Sequence, residues 1–162
     1  MHILMCNDDG ILADGLRHLA SYLSQYYSIT VVAPANEQSA KSHALTTEVP
    51  LKLDACNGED ENPRLYALTG TPSDCMKFGL SYLLTDDMPD LVISGINHGF
   101  NLGSDVLYSG TVSAAMESGF YGIPGLALSV ERYSVERGDE MHPFIHELIE
   151  KIYVAGQFSG LL

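Results

Sequence analysis

Basic residues are scarce in this chain. Eight Lys and Arg stand against 21 Asp and Glu, a formal net charge of −13, so it lacks the clustered cations that a nucleic-acid polymer or an anionic membrane surface requires. An anionic ligand would need a cation brought from elsewhere, and a bound dication can dominate the field of a site whatever the global charge. Long apolar runs are missing too. No stretch reaches the ~18 consecutive apolar residues of a membrane span, and the opening Met1-His2-Ile3-Leu4-Met5-Cys6 lacks the basic-then-apolar order of an export leader. The cysteines, Cys6, Cys56 and Cys75, are odd in number and far apart, without Cys-x-x-Cys spacing. Neither a disulfide framework nor a thiolate zinc site is indicated, and a reducing cytoplasm is the expected compartment. The absence of a Gly-x-Ser-x-Gly elbow, a P-loop and a complete Rossmann glycine fingerprint counts against serine hydrolases, nucleoside triphosphatases and dinucleotide enzymes.

What is present is a globular composition, 46% apolar and 18% charged, in a length suited to one domain spanning residues 1–162. His2 to Cys6 reads as a strand. Leu16, Leu19, Ala20 and Leu23 recur at helical spacing within Gly15 to Tyr26, and Ile29 to Ala33 is a β-branched strand stopped by Pro34. Such a β-α-β opening places its strands in parallel. Residues 34–64 are polar and read as an excursion with short strands at Ala44 to Thr47 and Leu51 to Ala55, arranged as a β-hairpin beside the sheet. Alternation then returns: strand Leu65 to Thr69, helix Pro72 to Leu84, strand Leu91 to Ser94, helix Thr111 to Tyr121, strand Leu126 to Val130, and an amphipathic helix Pro143 to Val154. The expected fold is doubly wound α/β with a mainly parallel sheet.

Ligands of open α/β sheets bind at the carboxyl ends of the strands, and the unusual polar residues fall at those points. Asn7-Asp8-Asp9-Gly10 follows the first strand. Asp8 and Asp9 offer two hard oxygen donors suited to Mg²⁺, Mn²⁺ or Ca²⁺, provided the backbone leaves extended geometry, which Gly10 permits. The alternative is an exposed turn with one aspartate capping the next helix. Asn97 and Asn101, among glycines after a later strand, offer neutral donors near a metal or phosphate, or make a turn. Thr71-Pro72-Ser73-Asp74 has a capping-box pattern, and Tyr108-Ser109-Gly110-Thr111 opens a helix whose free N–H groups suit an anion, with capping as the plainer reading. His43 could serve as an acid toward a leaving group or be solvated. His142 and His146 share a helix face and read as surface residues.

Taken together, Asn7-Asp8-Asp9-Gly10, Val31 to Pro34 with Glu37-Gln38-Ser39, Gly70 to Cys75, Ser94-Gly95-Ile96-Asn97, and Asn101 to Asp105 running into Tyr108 to Val112 closely resemble the SurE (survival protein E) family of metal-dependent 5′-nucleotidases. The resemblance implies Asp8, Asp9, Ser39 and Asn97 as ligands of one divalent ion, Mg²⁺ or Mn²⁺, with Asp8 and Asp9 catalytic. It implies Asn101, Ser109, Gly110 and Thr111 around the phosphate. It further implies a Rossmann-like three-layer αβα core, a cytoplasmic hydrolase of nucleoside 5′-monophosphates, with 3′-monophosphates or polyphosphate as possible further substrates, and a homodimer or homotetramer. Ser39 rests on this pattern alone. Family members usually continue beyond the point where this chain stops, into segments that pack between subunits. Two readings of another class stay beside it: a receiver-like signalling domain, which would need an Asp where Asn97 stands and a Lys after Val130, and a nucleotide-binding module without catalysis.

Overall fold

The central strands are apolar on both faces because both faces are covered. In the computed structural model, which describes residues 1–154, strand β1 (His2–Cys6) is buried along its whole length. It pairs in parallel with β2 (Ser28–Pro34) on one side and β5 (Leu91–His98) on the other. Strand β4 (Arg64–Leu68) runs parallel to β2, β6 (Gly125–Val130) runs parallel to β5, and β3 (Leu53–Ala55) lies antiparallel on β4. The order is β3-β4-β2-β1-β5-β6. Odd and even residues of β1 enter different cores, as the two-residue period requires. Ile3 and Met5 meet Leu16, Leu19 and Leu23 of helix α1 (Asp14–Leu23) and Ile145 and Ile149 of α4 (Val135–Val154). Leu4 and Cys6 meet Cys75 and Met76 of α2 (Pro72–Phe78) and Ala114 of α3 (Gly110–Gly119). This is the three-layer, doubly wound α/β fold expected.

Five local expectations are corrected. Ala44 to Thr47 forms no strand, because its backbone is satisfied by side chains of the α2 start: Ala44 O accepts from Thr71 Oγ1, and Thr46 N donates to Asp74 Oδ1. The antiparallel partner of β3 is therefore β4. Helix α2 passes into a π-helical turn, Gly79–Leu83, in place of one continuous α-helix to Leu84. Helix α4 begins at Val135, with Ser134 Oγ accepting from Arg137 N, so Pro143 lies inside it and does not start it. That extension packs His142 against the Tyr22 ring of α1, which buries a histidine read as exposed. Strand β5 continues past Ser94 through a bulge to pair Asn97 with Ser129. Gly95 sits at the bulge with φ 130°, where a Cβ would lie 2.3 Å from Leu128 O.

Connections from β1 and β5 leave the sheet on opposite faces, to α1 and α3, so the crevice between their carboxyl ends is a topological switch point. Among the described residues no helix is long and apolar enough to cross a membrane.

Candidate active site

Asn7 builds the turn that turns β1 away from the sheet. Its Oδ1 accepts from Gly10 N and its Nδ2 donates to Gly10 O, both at 3.1 Å, and Gly10 takes φ 101°, which suits glycine. Helix α1 starts four residues later with Ala13 as its N-cap and no side-chain cap. Neither Asp8 nor Asp9 caps it, so the plainer reading of that pair is set aside.

Asp8 turns instead toward the other face of the sheet. Its Oδ1 accepts from Thr111 Oγ1 at 2.6 Å, and Gly110 packs so tightly on it that an added Cβ would lie 2.9 Å from Asp8 Cβ. The carboxylate thus rests on the first turn of α3, where the positive end of the helix favours an anion. Burial pushes the Asp8 carboxyl above its ordinary value, against the lowering effect of Thr111. Asp9 is half-buried, accepts from His98 N at 3.4 Å, and is also pushed up, by burial first and then by the Asp8 carboxylate beside it. Two carboxylates crowded together and partly removed from water oppose their own ionisation. A dication between them would relieve that tension, which is the fit expected of a hard-metal site.

The other expected residues come from two further segments, the loop after β2 and the stretch from the end of β5 to the start of α3. The loop after β2 is tied to the pair by Gln38 N, which donates to Asp8 O at 2.8 Å. Glu37 lies close enough to raise both aspartates, and Ser39 Oγ donates to Glu37 Oε1 at 2.6 Å. Asn97, re-aimed by the β5 bulge, adjoins the His98 amide that reaches Asp9, and its Nδ2 donates to Gly99 O, which leaves Oδ1 as its donor atom for a cation. Asn101 is fastened to β6, its Nδ2 donating to Ser129 Oγ at 2.7 Å. Ser109 caps α3 by accepting from Val112 N, so its own proton can be donated outward, whereas the Thr111 proton is committed to Asp8. Among the described residues no group of three or more His, Cys, Asp or Glu is arranged to hold a metal. A cation here would be completed by neutral hydroxyl, amide and water oxygens, as Mg²⁺ and Mn²⁺ accept and thiolate-bound zinc does not.

One contact near this site is not visible in the sequence. Glu117 of α3 is buried, and its Oε2 lies 2.6 Å from Nε2 of the partly exposed His43, so that ring nitrogen is engaged by Glu117. The available signal was a carboxylate on the same helical stripe as Ala114 and Ser118.

A family model described as survival protein SurE matches residues 3–159. The 5′-nucleotidase SurE of Caldanaerobacter subterraneus subsp. tengcongensis is 48% identical over 95% of this chain and 60% of its own length. That of Thermoanaerobacter sp. is 49% identical over 96% of this chain and 61% of its own length. The crystal structure of the SurE protein from Aquifex aeolicus superposes with a TM-score of 0.81 at 37% identity, covering 94% of this chain and 60% of that one. The chain therefore spans about 60% of the length of these relatives.

Proposed function

Because the chain belongs to the survival protein SurE family, we propose that it is a divalent-metal-dependent phosphatase that releases phosphate from nucleoside 5′-monophosphates. The observation that carries the reading is the contact of Asp8 with Thr111 and Gly110, which joins a carboxylate pair to the start of a ten-residue helix. Asp8, Asp9, Ser39 and Asn97 would hold one ion, Mg²⁺ or Mn²⁺. When bound, it would supply Lewis-acid polarisation of the phosphoryl group and activation of the attacking water. The chain's own contribution is positional and electrostatic. Free N–H groups of the α3 start and the Ser109 hydroxyl donate to the phosphoryl oxygens as charge develops, and Asn101 bounds the same space from the β6 side. Thr111 orients Asp8, and Asp9 would orient the attacking water.

Nucleoside 3′-monophosphates and polyphosphate are further substrates to test. A cytoplasmic setting accords with Cys6, Cys56 and Cys75 all being free thiols, and assembly into a dimer or tetramer with the exposed Tyr82 and Phe120. The receiver-like alternative has no support, since Asn97 stands at the β5 end where it needs an aspartate.

Phosphate release from a panel of nucleoside monophosphates should stop with chelator and return with Mg²⁺ or Mn²⁺. Asp8→Asn should abolish turnover while leaving the melting temperature within a few degrees. Undiminished turnover in chelator would sink the proposal, and tight nucleotide binding without release would convert it to a binding module.

A further inference from the structure

Ser39 lies beside a costly piece of backbone. Ala40 and Ser42 have φ 57° and 52°, a left-handed conformation that residues with a Cβ adopt only where the surroundings over-determine it. The loop is held at several points. Ser42 N and Oγ donate to Tyr108 O and Leu107 O, Thr71 Oγ1 donates to Ala44 O, and Thr46 donates to Asp74. His43 adds a contact of a different kind, reaching into the body of α3 to a buried carboxylate at 2.6 Å. Lys77 Nζ is 3.9 Å from the other Glu117 oxygen. A buried carboxylate is held by its partners, so lifting the loop would strip Glu117 of its 2.6 Å contact and leave it only the longer one to Lys77. Beside the pair lies a cavity of about 540 Å³ whose walls include Leu45, Phe120 and Tyr121. Packing leaves open space there, so at this point of the loop the His43–Glu117 contact is the short tie to α3.

Helix α3 thus reaches the site twice. Thr111 grips Asp8, and Glu117, six residues on and roughly 9 Å down the axis, grips the loop that carries Ser39. We infer that His43 and Glu117 are a positioning pair: they fix the Ser39 hydroxyl relative to Asp8, so that one helix sets the spacing of ligands drawn from two separate loops. The inference rests on the metal reading above and extends it to residues that touch neither metal nor substrate.

The test is a substrate-free Mn²⁺ titration of the whole chain, followed by the paramagnetic resonance of free Mn²⁺, in a cycle of native, His43→Ala, Ser39→Ala and the double variant. Loss of an orienting partner weakens metal binding by about 10–100-fold. His43→Ala should do so in the native background and add nothing once Ser39 is gone. His43→Gln, with a donor of similar reach, should recover most of the loss. Equal weakening in both backgrounds, unchanged affinity in His43→Ala, or failure of the Gln variant to recover would overturn the pair's role. Should His43→Ala not fold, Glu117→Gln carries the same cycle with the same expectations. If Ser39→Ala binds Mn²⁺ as well as native while Asp8→Asn does not, the positioning role falls and the aspartate site stands. If the native chain binds no Mn²⁺, the metal reading falls with it.

Discussion

Gly110 has an ordinary helical backbone, and its importance is one of space. An added Cβ would sit 2.9 Å from Asp8 Cβ, 3.1 Å from Asp8 Oδ2 and 3.1 Å from Pro72 Cγ, three groups fixed by β1 and α2. Asp8 Cβ and Pro72 Cγ are not loose ends of flexible side chains. Gly110→Ala must push α3 off Asp8, and overpacking of this kind costs about 1–3 kcal/mol. A thermal melt should show the loss, and phosphate release should fall by more than stability alone explains, because the start of α3 would no longer meet the carboxylate pair. Retention of both would mean that the close approach has no functional weight. Asp8 and Thr111 were legible as candidates because each sits where its element ends or begins. Glu117 was not, since a carboxylate on an apolar stripe acquires meaning only from His43, 74 residues away.

The α2 start is the clearest case at the scale of elements. Thr71 and Asp74 form a reciprocal capping box, and the same carboxylate accepts from Thr46 N and Oγ1. Burial alone would raise the Asp74 carboxyl, but these donors outweigh it and hold it below its ordinary 3.8. A depressed carboxylate contributes stability above its unfolded value and loses it as pH falls through the folded one. Native protein should therefore exceed Asp74→Asn by about 1–3 kcal/mol at neutral pH, and denaturant melts should show the gap closing below about pH 4. A gap undiminished at pH 3 would assign Asp74 a role in shape alone. Most elements could be read from apolar patterning, because the central strands are continuous apolar runs covered on both faces and α1 buries one stripe. Ala44 to Thr47 could not, since its backbone bonds to side chains, and periodicity does not report those. The first half of α4 was hidden by Pro143, whose ring suits a helix start as well as an interior.

For the molecule as a whole, a net charge of −13 repels the substrate class proposed for it. Screening should weaken that repulsion, so kcat/KM for a nucleoside monophosphate should rise when inert salt is added at low ionic strength. A fall would mean that local positive potential at the site governs capture. The Asp8–Thr111 bond joins residues 103 apart in sequence, and the bond from Gln38 joins a third segment to the same aspartate. No fragment of the fold contains that geometry, so a dication that needs it distinguishes the native chain from every partly folded one. Its binding energy then adds directly to folding stability, growing as RT ln(1 + [M]/Kd). The melting temperature should climb with the logarithm of Mn²⁺ concentration and stay flat in Asp8→Asn, which makes a calorimeter trace an assay of the site that needs no substrate.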